Sequence, residues 1–80
     1  MTDRQRCSDL WFDDGNIVLQ AEQTLFRVFK SVLGRESSVF ADMLSLPGRS
    51  AELYEGIPLV HMPDSAEDMT LFLSVIFNFE

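Results

Sequence analysis

The chain has 80 residues, with thirteen acids against six bases and a formal net charge of −7, a balance that repels phosphate backbones and anionic membrane surfaces and so excludes the ordinary nucleic-acid or membrane-surface protein. Hydrophobic residues at 46% and charged residues at 24% are ordinary globular usage, which excludes a disordered tail and a membrane bundle. A chain this short builds one core, and a single cysteine, Cys7, leaves it without an internal disulfide, which points to a reducing, intracellular home, cytoplasmic or nuclear.

Residues 1–8 read as a polar lead-in, since no apolar run follows Arg4 and Arg6 to make a secretory signal or a membrane span. The domain proper is expected over residues 9–80. Three short apolar segments come first, separated by turn residues at Asp14-Gly15 and Glu22-Gln23, and the spacing predicts a β meander. If Asp14-Gly15 closes the first hairpin, Phe12 faces Ile17 and Leu10 faces Leu19. If Glu22-Gln23 closes the second, Leu19 faces Phe26 and Ile17 faces Val28. Alternation then puts Leu10, Phe12, Ile17, Leu19, Phe26 and Val28 on one face, with Trp11, Val18, Gln20, Leu25 and Arg27 on the other.

After Val28 the period becomes helical. Phe29, Val32 and Leu33 predict a short helix stopped by a left-handed Gly34. Ser37-Ser38 can cap a second helix, in which Val39/Met43 and Phe40/Leu44 stand four apart on one side. The pair forms an α-hairpin over the sheet. Leu46-Pro47-Gly48-Arg49-Ser50 is linker-like, and Gly56 to Pro63 reads as an extended segment whose prolines confine it to an edge. A third, longer helix follows, with Asp64 as cap and Glu67 reaching back to it. Met69, Phe72, Leu73 and Ile76 form its buried stripe, widened by Phe77 and Phe79. The expected class is α+β. Nothing after Phe79 covers that end before Glu80, as if a larger fold had been cut at its C-terminal side.

Asp9 to Ala21, Leu25 to Leu33, Ser37 to Pro47 and Leu59 to Phe77 together resemble a BTB/POZ domain, in particular its fungal-type branch. The resemblance implies a mixed module without catalysis that pairs with itself or with other proteins, and that in some relatives connects substrates to a cullin-type ubiquitin ligase. Full BTB domains carry further helices that contribute to the cullin contact, so that partner is not expected from this chain. The family's charged pocket falls on Asn16 and Lys30. Relatives often carry an aspartate and a basic residue preceded by histidine at these positions, and here the residues are Asn16 and Phe29-Lys30.

No catalytic, metal-binding or cofactor-binding set is expected. The sole histidine, His61, stands in a short extended segment without a motif around it, and one cysteine with one histidine cannot make a structural zinc site. Asp13-Asp14 and Glu67-Asp68 fit a turn and a helix start better than a calcium loop. The candidates for protein contact are Trp11, Val18 and Leu25 on the second sheet face, which either meet a partner or are covered by the N-terminal arm and the Arg27 stem. Phe77 and Phe79 either pack back on Phe72 and the sheet or form an apolar end covered by a second copy or another protein, and association is favoured. The alternative function is an acidic regulator, because residues 50–80 hold six acids and no base and would bind a basic protein.

Overall fold

Alternating apolar residues make strands in the first half and a helical period makes helices after Val28, as the computed structural model shows over residues 3–45 and 52–77. In chain order these are β1 (Gln5–Trp11), β2 (Ile17–Ala21), β3 (Thr24–Val28), α1 (Lys30–Glu36), α2 (Ser38–Ser45), β4 (Leu53–Tyr54), β5 (Ile57–Met62) and α3 (Ala66–Phe77). The fold is mixed, with five strands in one sheet ordered β1-β3-β2-β5-β4. Side chains from all three helices pack on one sheet face. There Leu10, Ile17, Leu19, Ala21, Phe26 and Val28 meet Leu33, Phe40, Met69, Leu73 and Phe77 in the main core. β2, flanked by β3 and β5, is buried along its whole length.

The second expected hairpin forms with its register intact, Leu19 opposite Phe26 and Ile17 opposite Val28. The first does not. β1 runs parallel to β3 on the side away from β2, so Phe12 does not face Ile17, and the meander is corrected to one hairpin plus a crossing strand. The reason lies in the turn. Gly15 donates its amide to the Phe12 carbonyl at 2.9 Å, and the loop then straddles the end of β3: Phe12 donates to Arg27 and Asn16 donates to Val28, each at 2.9 Å. Arg27 pins the loop from below by donating from Nε to the Gly15 carbonyl at 3.0 Å. A Cβ on Gly15 would stand 2.8 Å from the Val28 oxygen. Glycine is thus needed here for close approach, not for a left-handed turn.

The division of faces survives this change of partner. Five of the six expected core residues are at most 5% exposed, and Phe12 packs against the same core half-buried. Within β2, within β3 and from Leu10 to Phe12, beyond an irregularity earlier in β1, the face a residue takes depends on its parity along its own segment, and exchanging the neighbouring strand leaves that untouched. Residues 5–8, expected as a lead-in, are the first half of β1, and Cys7 packs there against the main core.

Three further expectations are corrected. Gly34 lies inside α1, which continues to Glu36 and ends at an extended Ser37 whose amide binds the Leu33 carbonyl. The cap of α3 is Ser65, whose hydroxyl accepts the Asp68 amide at 3.1 Å, and not Asp64. β5 is not the edge strand: β4 flanks it, with Leu53 opposite Pro58. Ser37 does cap α2, accepting the Phe40 amide at 3.4 Å. The expected linker at 46–50 lies outside the described residues, as do the side chains of Met43 and Leu44.

Candidate protein-interaction surface

The second sheet face carries three of the expected contact residues, and the chain covers them itself. Val18 and Leu25 are 0% and 1% exposed, packed with Leu59 and with half-buried Trp11, Tyr54 and Ile57 in a second, smaller core. Buried this deeply, Val18 and Leu25 offer a partner no surface: of the two expected readings, partner contact or cover from within the chain, their burial fits the second. In a flat sheet, four strand spacings would hold β1 and β4 about 19 Å apart. Here Arg6 of β1 donates from Nε to the Tyr54 hydroxyl of β4 at 3.2 Å and pairs with Glu55 at 2.7 Å. The sheet is therefore curled enough for long side chains from its two edges to meet over Val18 and Leu25.

Arg6 can do this because the β1–β3 register shifts between Arg6 opposite Leu25 and Trp11 opposite Arg27. Five steps along β1 match two along β3, so two residues of unlike parity come to share a face. The Arg6 guanidinium lies 4.5 Å from the Trp11 ring and 5.6 Å from that of Tyr54, while Arg4 stands 5.2 Å from Tyr54. Trp11 and Tyr54 meet edge to face at 5.9 Å. The hydrogen bond to Tyr54, and behind it the charge of Glu55, hold Arg6 above its ordinary range, so it stays cationic. Gln20, the buried polar residue on this face, is satisfied by Arg4 and by the Glu22 carbonyl.

Asn16 and Lys30 are brought together, though not as a charged pocket. The Asn16 Oδ1 accepts the backbone amide of Lys30 at 2.8 Å and so caps α1 from outside the helix. Phe77 packs inward, 5% exposed, with its ring 5.5 Å from Phe12 and 6.4 Å from Phe29. It packs back within the chain, which corrects the expected exposed end at this residue. Phe79 lies outside the described residues.

Apart from Leu53 of β4, the exposed large apolar residues among those described are on α2 and α3. Leu71 and Val75 are 62% and 82% exposed, Phe72 is 37% and Val39 of α2 is 69%. Between α2 and α3 lies a groove of about 360 Å³ whose lining includes Phe40, Met69, Phe72 and Val39, with Ser37, Asp64 and Asp68 at its polar margin. Phe40 and Phe72 stack at 5.6 Å and 16°. Phe72 belonged to the stripe expected to be buried, and Leu71 and Val75 were passed over. The signal for them was present: at i+3 and i+7 from Asp68, Leu71 and Val75 are apolar residues outside that stripe.

Titratable chemistry is dispersed. His61 pairs with Glu52 through Nε2 at 2.8 Å on the surface, on the sheet face that carries Leu59, whereas Cys7 packs on the helical side. The sheet separates the two. Among the described residues no helix is long and apolar enough to cross a membrane. Fold and surface together define a small mixed α/β domain with a curled five-stranded sheet, one helical face and an apolar groove. Comparison with protein-family models, with curated proteins and with solved structures finds no match.

Proposed function

We propose that this chain is a non-enzymatic protein-interaction module of BTB/POZ type that associates with a protein, a second copy of itself included, through apolar surface. One observation carries the reading: Val39 and Phe72 line a groove while exposed themselves, and Leu71 and Val75 stand exposed on the same helix as Phe72, where apolar surface gathered on a small domain marks a contact site. The kinship has support in the succession of a crossing strand, a β-hairpin, a helix pair, a further strand and a longer helix. Cys7 and His61 lie on opposite faces of the sheet and so do not form a thiol–imidazole pair, whose members must come within hydrogen-bond reach.

A second reading, an acidic module for a basic partner, is favoured by the unrelieved acidity of residues 50–80. Two measurements test association as such. Sedimentation of the chain at micromolar concentrations reports pairing with itself, and a random peptide library panned on the chain, with counter-selection on Leu71→Ser/Val75→Ser, reports pairing with others. Concentration-dependent association, or ligands that the doubly substituted chain fails to hold, is expected. A monomer at every concentration together with no discriminating ligand refutes the reading.

A further inference from the structure

We infer that the groove between α2 and α3 receives a segment of another protein in which a large apolar side chain is flanked by lysine or arginine. The inference rests on the interaction-module reading and narrows it to one site and one partner chemistry.

The groove is preformed. Its lining rings, Phe40 and Phe72, already stack on one another, and Phe40 is 5% exposed and anchored in the main core. About 360 Å³ of space above them is at the small end for ligand pockets and suits an anchor side chain rather than a cofactor. Leu71 and Val75, exposed on the same helix as Phe72, offer further apolar surface to a segment that runs on past the anchor.

Charge selects the flanks. Asp64 and Asp68 are exposed at the margin, and neither carboxylate has a hydrogen bond or ion pair among the described residues. Residues 50–80 contain no lysine or arginine to neutralise them. An anionic or neutral segment gains nothing from this margin, whereas a cationic one gains both faster encounter and selectivity. The same carboxylates disfavour a second copy. A two-fold pair would set this patch against itself, bringing Asp64 and Asp68 of both chains together with no lysine or arginine in residues 50–80 to compensate them.

The test is fluorescence anisotropy of two labelled synthetic peptides with the same Leu/Phe pattern, one flanked by lysines and one by glutamates, titrated with the full chain. The lysine peptide is expected to bind and the glutamate peptide not. Asp64→Asn/Asp68→Asn should weaken binding by about tenfold or more, while Asp13→Asn/Asp14→Asn, the same change of net charge at a distant turn, should change it less than about twofold. Val39→Ser, at a residue 69% exposed, should weaken it without disturbing the circular dichroism. Equal losses from the two charge pairs would show general attraction to an acidic chain and overturn the site, as would indifference to Val39→Ser. If the lysine peptide fails while library-selected ligands of other chemistry bind, the partner class is wrong and the module reading stands. If no ligand binds and the chain does not self-associate, both fall.

Discussion

The Glu22 carboxylate accepts the backbone amide of Ala66 at 2.9 Å across 44 residues of sequence, tying the β2–β3 turn to the first residue of α3. At the other end of β2, Asn16 holds the first amide of α1 in the same way. The central strand thus positions two helices through the residues that flank it, satisfying amides that a helix start leaves open. α3 carries the groove margin and the exposed stripe, so its placement at Glu22 is what sets that surface over the sheet.

Glu22 holds its cap from a left-handed backbone, φ 56°, which costs a residue with a side chain about 1 kcal/mol. Three substitutions separate the two effects. Glu22→Gln keeps the acceptor and should lose only the charge–dipole part, about 0.3–1 kcal/mol. Glu22→Ala should lose the cap, about 1 kcal/mol or somewhat more. Glu22→Gly loses the cap and relieves the backbone, and should fall between wild type and alanine. Urea denaturation checks the order, and an alanine variant as stable as wild type would show that the cap contributes nothing.

The two glycines before residue 40 should respond with opposite signs. Gly15→Ala forces a Cβ to within 2.8 Å of the Val28 oxygen and 2.9 Å of Arg27 Cγ, and the backbone must shift at a cost of about 1–3 kcal/mol. Gly34→Ala places its Cβ 3.8 Å from Ala41, ordinary contact inside a helix, and should stabilise by about 0.5–1 kcal/mol. A destabilised Gly34→Ala would restore the left-handed stop that the sequence suggested. Thermal melts of both variants decide it.

What could be read from the sequence was parity and period. The apolar set from Leu10 to Val28 was legible because alternation assigns faces whatever the neighbouring strand, and Met69 and Leu73 because their spacing is helical. Strand partnership was not legible. Asp14-Gly15 carries the composition of a hairpin turn, but the glycine is used to pass over β3, and nothing local distinguishes those two uses. Covering Val18 and Leu25 needed the curl of the sheet, a register shift in β1 and contact between Arg6 and Tyr54, 48 residues apart. The capping of α3 by Glu22 was hidden likewise, because Ser65 and Asp64 are both sufficient local caps and the long-range donor–acceptor pair has no pattern of its own.

Phe77 and Phe72, both on α3, should separate stability from binding. Phe77 is buried between Phe12 and Phe29, and Phe77→Ala should cost about 3–5 kcal/mol, enough to unfold much of a domain this size. Phe77→Leu keeps most of the volume and should cost less than half as much. Phe72→Ala leaves a partly solvated gap over Phe40 and should cost about 1–2 kcal/mol, while removing a wall of the groove. A Phe77→Ala melt no lower than that of Phe72→Ala would contradict the burial assigned to the two rings.

The contact between the sheet edges can be followed through Trp11, the only tryptophan. Besides the hydrogen bond to the Tyr54 hydroxyl, two interactions hold Arg6 there, and they differ in kind. The pair with Glu55 is exposed on both sides, 46% and 59%, so solvent and salt screen it and its removal changes little. The guanidinium lying against Trp11 and Tyr54 shields ring surface and is attracted to the ring faces, neither of which salt abolishes. Arg6→Ala should therefore shift Trp11 emission to the red and raise its quenching by acrylamide. Arg6→Lys keeps the charge but loses the planar fork that stacks and donates to Tyr54, and should give an intermediate shift. Glu55→Gln should leave the spectrum close to wild type at low and high salt alike. An emission shift in Glu55→Gln as large as that in Arg6→Ala would mean that the ion pair, not the stacking, closes the sheet over Val18 and Leu25.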